Sequence, residues 1–361
     1  MKTLIKKIII LAAIILTICM AVHLFILPFA WGDSTQYTKI KHFEKTGHQY
    51  NSIVIGGSLE YRQIDPYILD STAKANGIDM RTYNFAIDGH NFVQQMNDVE
   101  YYIKNWGDNL DYIILSLSSE SLFLKNQLHQ IKGVQWVNPK SALLASKINF
   151  ELPMPLKKQA QFTYFYGMSL VENALLFGLG DEAVRFIAYD KYNRDTAYLG
   201  KRMDGFYPYD DEETHLMLDF EWEEKLLKKS HNDYLEQKWK RDSLMSKNIA
   251  QFEGKTKDKK VIQSEVEKYK QIIELAERKG IHVYVSIPPR ARTSYAILME
   301  IYNALPEVSK IEVADPRKYP ELYEVENSYN FHHLNAKGAK IYSEIVAKKI
   351  VELEKGRLKH K

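Results

Sequence analysis

The chain has 361 residues, a formal net charge of +3, 45% apolar residues and one cysteine. That length holds one large domain or two smaller ones. The near-neutral balance excludes nucleic acid as the main partner, since phosphate neutralisation needs basic clusters. A single cysteine excludes an internal disulfide and a cysteine zinc site.

The first stretch, "MKTLIKK", carries Lys2, Lys6 and Lys7, and an apolar run follows from Ile8 to Trp31. A spanning helix needs ~20 apolar residues, whereas the apolar core of a cleaved signal peptide has ~7–15. No A-x-A site follows the run. "LTIC" has leucine and cysteine at lipobox spacing, but the bulky Ile18 stands where a small residue belongs. Residues 1–31 therefore read as cytoplasmic lysines and a signal anchor. The positive-inside rule then places the bulk of the chain outside the cytoplasm. Cys19 lies inside the anchor, so the exterior part has no cysteine at all, as suits an oxidising compartment. Residues 32–49 are polar and read as a juxtamembrane connector.

Strands and helices then alternate, the pattern of a parallel α/β sheet. Strand one spans Ser52–Ile55 and ends in "GGS". A helix over Asp65–Ala75 follows, with Pro66 at its first position and Gly77 past its end. Strand two covers Arg81–Ile87, a helix Phe92–Trp106, and strand three Leu110–Ser118. The alternation stops over about 120–260, a helical insertion rich in aromatics that either line a sugar groove or pack the insertion. It resumes with a helix after Val261 whose apolar face includes Val266, Tyr269, Ile273 and Ala276. Strand four is Ile281–Ile287, a short strand five Lys310–Asp315, and the last helix Ala336–Leu353. "KGRLKHK" reads as a solvated tail. The expected fold is a flavodoxin-like three-layer sandwich around five parallel strands, filling 50–361 apart from the insertion.

Two short blocks carry chemistry. Ser58 leaves strand one at the carboxyl edge, where ligands of such sheets bind. His332 and His333 precede the final helix. A histidine can remove the serine proton, because its ordinary pKa of ~6.5 lies near working pH. A tight glycine turn and surface histidines are the plainer readings of the same residues. No carboxylate-rich motif accompanies the histidines, so no metal is expected. No G-x-G-x-x-G or Walker pattern appears, so no nucleotide cofactor is expected either.

Together, "GGSL" after strand one, "NFAIDG" after strand two and "HHLNAKGA" before the last helix resemble the SGNH (GDSL-like) hydrolase superfamily. The similarity is greatest to its membrane-associated branch of alginate-type O-acetyltransferases and the teichoic acid D-alanylation protein. It covers 50–118 and 261–350. The resemblance implies Ser58 as nucleophile, His333 as base, and oxyanion donors from the N–H groups of Ser58 and Gly89. Three departures accompany it. Gly57 stands where the family name has an aspartate. The family's acid falls on Asn330, which leaves a Ser-His dyad, another acid such as Asp315 or Glu326, or a silent site. The asparagine donor after strand three is absent from "SLSSES", so a hydroxyl of Ser118 or Ser119 would replace it. Arg62, and similarly Arg290 and Arg292, are candidates for an anionic substrate. The expected function is a membrane-anchored, extracytoplasmic serine esterase or O-acyltransferase. It would act through an acyl-Ser58 intermediate on a cell-surface glycan, with a small acyl group such as acetyl. The alternatives are a catalytically impaired relative that binds glycan or a partner in an envelope modification or export complex, and an anchored scaffold whose insertion binds proteins.

Overall fold

The computed structural model describes residues 2–25, 34–119, 137–175, 196–211, 221–254, 261–291 and 294–359. Five strands, β1 (Ser52–Ile55), β2 (Thr82–Asn84), β3 (Tyr112–Ser116), β4 (His282–Ile287) and β5 (Lys310–Glu312), form one sheet in the order β2-β1-β3-β4-β5. Every pairing is parallel. This is the doubly wound order found in flavodoxin-like sheets.

Alternate strand residues divide the core between two faces. Ile53, Ile55, Ile113, Leu115, Val283 and Val285 point to one side. There they meet α2 (Ser34–Thr46), α5 (Phe92–Trp106) and α10 (Gln263–Glu277) through Phe43, Met96, Val99, Val266, Tyr269 and Ile273. Val54, Ile114, Tyr284 and Ile311 point to the other side, against Leu69 and Ala73 of α4 (Pro66–Ala75) and Tyr342, Val346 and Ile350 of α12 (Ala336–Lys359). Strands buried on both faces read as near-continuous apolar runs, which is why these were visible in the sequence.

Several boundaries differ from expectation. Strand one has the expected bounds, and the other four strands are shorter than expected. Strand two stops at Asn84 because the Asn84 side chain turns back to accept from the Ala86 N–H. A helical turn, α3 (Ser58–Gln63), begins at Ser58 itself. The carboxyl-terminal "KGRL" is helical as part of α12, not a free tail. The helix α11 (Tyr295–Asn303) was not foreseen.

The largest correction is the connector. Residues 34–46 form α2, whose Ile40 and Phe43 enter the core. Lys39, 0% exposed, donates to the carbonyls of Asn84 (2.9 Å), Ala86 (2.6 Å) and Gly205 (2.9 Å) and lies over the Tyr61 ring. Burying a lysine is tolerable only with such full satisfaction of its donors.

The amino-terminal segment forms α1 (Lys2–Phe25). Among the described residues no helix is long and apolar enough to cross a membrane, so the expected spanning helix is not part of the observed fold. Three lysines occupy the first two turns of α1, and residues 26–31 of the apolar run lie outside the described residues.

Of the insertion, four helices are described: α6 (Pro139–Glu151), α7 (Leu156–Ala174), α8 (Glu221–Glu236) and α9 (Lys238–Phe252). Ala145 and Ile148 of α6 and Tyr166 of α7 join the core cluster on the α5 and α10 side.

Candidate active site

Ser58 follows Gly56 and Gly57 directly at the end of β1. Gly57 caps α3: its N–H donates to Glu60 Oε2 at 3.2 Å, and its carbonyl accepts from Tyr61. This reciprocal cap fixes the first turn of α3, and with it the Ser58 hydroxyl at the sheet edge.

His333 comes from a loop that folds on itself. Tyr329 and Asn330 donate backbone N–H groups to the His333 carbonyl at 2.8 and 3.2 Å, and Ser328 bridges Leu334. Asn335 then caps α12 by accepting from Gly338 at 2.9 Å. The result brings His333 Nε2 to 2.9 Å from Ser58 Oγ, across 275 positions of sequence.

Asn330 occupies the far side of the ring. Its Oδ1 accepts from the N–H groups of His332 (2.8 Å) and His333 (3.0 Å) and lies 3.2 Å from His333 Nδ1. Two backbone donors settle which end of the amide faces the imidazole: it is the oxygen. Nδ1 then carries the proton and Nε2 is the bare acceptor that a base needs. In a serine protease, asparagine in place of the acid costs ~10⁴ in rate through the wrong tautomer. Here the tautomer is right and only the charge is missing.

The electrostatics reflect that loss. Burial, above all, drives the His333 pKa down to about 3; the Asp88 carboxylate opposes this, while His332, Arg62 and Arg290 add to it. Tyr209, from the insertion, presses edge-on against the ring at a centroid distance of 4.8 Å. Asp315 is bound to Arg317 (2.9 and 2.7 Å), and Glu326 is paired with Lys337. Neither reaches His333 to serve as an acid. Asp88, inside the "NFAIDG" block, supplies the opposing negative charge from a distance.

Ser58 and His333 open into a pocket of about 350 Å³ lined also by Gly57, Glu60, Gly89, Gln95, Ser118 and Arg290, among others. Gly89 has φ 76°, a backbone state that side chains disfavour, and it completes the turn in which His90 N–H donates to the Ile87 carbonyl. Ser118 lines the pocket, but both its donors are occupied: the N–H by the Tyr269 hydroxyl (2.9 Å) and the hydroxyl by Gln95 Oε1 (3.2 Å). It is thus not placed as an oxyanion donor. Ser119 is turned into the core, donating to Glu265 at 3.1 Å.

Arg62 is also placed otherwise than expected. It is 3% exposed, ion-paired with Asp88, and donates to the Tyr207 carbonyl at 3.1 Å. The rings of Tyr61 and Tyr209 cover it at 4.5 and 4.4 Å. It clamps the insertion to the site and offers no face to a substrate. Arg290 does line the pocket, while Arg292 lies outside the described residues.

Glu60 escaped the sequence reading, although its spacing from Gly57 is that of a capping box. Burial pushes its carboxyl up to about 7, against the lowering effect of a Ser116 hydrogen bond and the Arg290 charge. Gln95 and His90 were missed as pocket residues; they lie on α5 and its entry turn, and only the fold brings them to Ser58. Among the described residues no group of three histidine, cysteine or acidic side chains is arranged to hold a metal. No family model matches the chain, and no curated protein matches it.

Proposed function

We propose that the protein is an SGNH-type serine esterase or O-acyltransferase. The observation that carries this reading is the 2.9 Å approach of His333 Nε2 to Ser58 Oγ in a pocket at the carboxyl edge of a parallel sheet. Ser58 attacks the ester carbonyl while His333 Nε2 takes its proton, and the oxygen of the tetrahedral intermediate turns toward the backbone N–H groups of Ser58 and Gly89. His333 then returns the proton to the departing alcohol and leaves an acyl-Ser58 ester. Water or a sugar hydroxyl, deprotonated by His333, releases the acyl group.

The substrate class in this reading is an acyl ester of a cell-surface glycan, and the protein is held at a membrane. Two features support the anchor: the three amino-terminal lysines, and large apolar side chains exposed around α1, from Leu4 through Ile18. A helix apolar on all sides needs an apolar surrounding.

Full-length protein should react with a labelled fluorophosphonate and turn over p-nitrophenyl acetate. Ser58→Ala and His333→Ala should lose both activities while keeping the wild-type circular dichroism. Labelling that persists in folded Ser58→Ala refutes the assignment. The second reading, a binding protein for glycan or an envelope partner, is favoured by Asn330 in the acid position; a wild type silent in both assays selects it.

A further inference from the structure

One side chain of the pocket has no use in the chemistry above. Arg290 follows β4 through Pro288 and Pro289, and its backbone is clamped on both sides. Its N–H donates to the Tyr295 hydroxyl at 2.8 Å, and its carbonyl accepts from Asn248 Nδ2 at 3.2 Å. The guanidinium is different. Its Nε is buried without a hydrogen-bond partner, and among the described residues no hydrogen bond or ion pair reaches the group. Other arginines near the site are paired: Arg62 with Asp88, and Arg202 with Asp65 and Asp204. An arginine stays charged at any working pH, and this one is half-buried, so its Nε is desolvated without a partner at some cost.

The surroundings supply only a counter-charge out of contact, since Glu60 and Arg290 attract each other without pairing. Glu60 is the one carboxylate among the pocket's described lining residues, and it makes no ion pair with Arg290. Its Oε2 is taken up by the Gly57 cap. Behind Arg290, against Asn330 and His332, lies a second cavity of about 20 Å³, room for about one water. On its other side the residue borders the pocket that holds Ser58 and His333.

From this juxtaposition we propose that Arg290 is the receptor for an oxyanion of the substrate, a carboxylate or phosphate group bound beside Ser58 by its two terminal nitrogens, the Nε being closed off in the protein. The planar fork of a guanidinium fits both groups. This inference rests on the esterase reading and narrows its substrate class: the ester that enters carries a negative charge, either on the acyl group, as in a hemisuccinyl ester, or on a phosphate of the alcohol portion. It also accounts for a positive charge set where it weakens the base. In the free pocket Arg290 adds to the depression of His333. A bound anion neutralises that influence, so occupancy by the right substrate strengthens the base.

The test is calorimetric binding of succinate, inorganic phosphate and, as a neutral control, succinamide to full-length wild type, Ser58→Ala, Arg290→Gln and Arg290→Lys. At least one anion should bind wild type and Ser58→Ala alike, while succinamide does not. Arg290→Gln should weaken that binding at least ~10-fold. Arg290→Lys, which keeps the charge but not the fork, should weaken it several-fold and serves if the glutamine variant does not fold. Succinate selects an acyl carboxylate and phosphate a phosphorylated alcohol. Absence of binding to wild type in the millimolar range, or affinity unchanged in both Arg290 variants, overturns the proposal. Anion binding by a protein without ester turnover retains the subsite and removes the esterase reading.

Discussion

Replacing Asn330 by aspartate restores the charge that the imidazole lacks, and the structure sets the size of the effect. Oδ1 lies 3.2 Å from His333 Nδ1. A unit negative charge at that distance from an imidazolium contributes ~5 kcal/mol at an effective dielectric constant of ~20. At ~1.4 kcal/mol per pH unit, this lifts the His333 pKa from about 3 to near 7. The two backbone N–H groups that already point at Oδ1 help a carboxylate ionise there. A base acts only when deprotonated, so activity rises with pH through its pKa. In the wild type that rise lies near pH 3, and His333 contributes no pH dependence around neutrality. In Asn330→Asp the rise moves to about pH 7. Above it, kcat/KM for p-nitrophenyl acetate should exceed wild type at least ~10-fold, because a base matched to working pH transfers the proton more readily. Nuclear magnetic resonance titration of the His333 ring should show the same move without reference to turnover. A folded Asn330→Asp whose His333 still titrates near pH 3 refutes the electrostatic argument.

Three further outcomes follow from other positions. Glu60 has a folded pKa raised from 4.5 to about 7, so the folded state holds more protons than the unfolded state between those values. The Glu60 contribution to stability is full below about pH 4.5 and is lost as pH rises through 7, by on the order of 3 kcal/mol; going from pH 5 to pH 8, the urea midpoint of Glu60→Gln should therefore rise relative to wild type, and the same pH dependence in both proteins refutes this. Lys39→Met removes the donor from three buried carbonyls, at ~1–3 kcal/mol for each orphaned group, and a urea midpoint lowered by less than 1 kcal/mol equivalent contradicts that. Gly205→Ala meets both a φ of 85° and the Asn84 carbonyl 2.1 Å from the new methyl, whereas Gly254→Ala meets only its φ of 69°. The first should lower the melting temperature well beyond the second, and equal losses would mean that the contact relaxes.

How much of this was legible in the sequence depended on range. The strands were legible because both faces of the sheet are covered, so Ile53 through Ile55 and Ile113 through Leu115 had to be apolar without interruption. Ser58, Gly89 and His333 were legible because each sits where a strand or loop meets the carboxyl edge, and short glycine- and asparagine-containing turns mark such places. Helix α2 was not, because only Ile40 and Phe43 of its buried residues are apolar and another of them is a lysine. Composition cannot distinguish the buried Lys39 from the half-buried Lys41 two positions on. Arg62 and Arg290 also look alike in sequence. What separates them is Asp88, which packing brings to Arg62 and not to Arg290. The partners of Ser118 were hidden for the same reason, since Gln95 and Tyr269 come from two different helices, α5 and α10, packed on one face of the sheet.

The burial of α2 in the core also fixes a length. Phe25 ends α1 and Ser34 begins α2, nine peptide steps apart. A fully stretched chain covers ~3.5 Å per step, so α1 and the body can be separated by no more than roughly 30 Å. That is about the thickness of the hydrocarbon part of one bilayer. With α1 in a membrane, as proposed, the start of α2 stays within that reach of the lipid surface. An esterase tethered in this way would meet esters carried close to that surface and not those held beyond the reach of its tether.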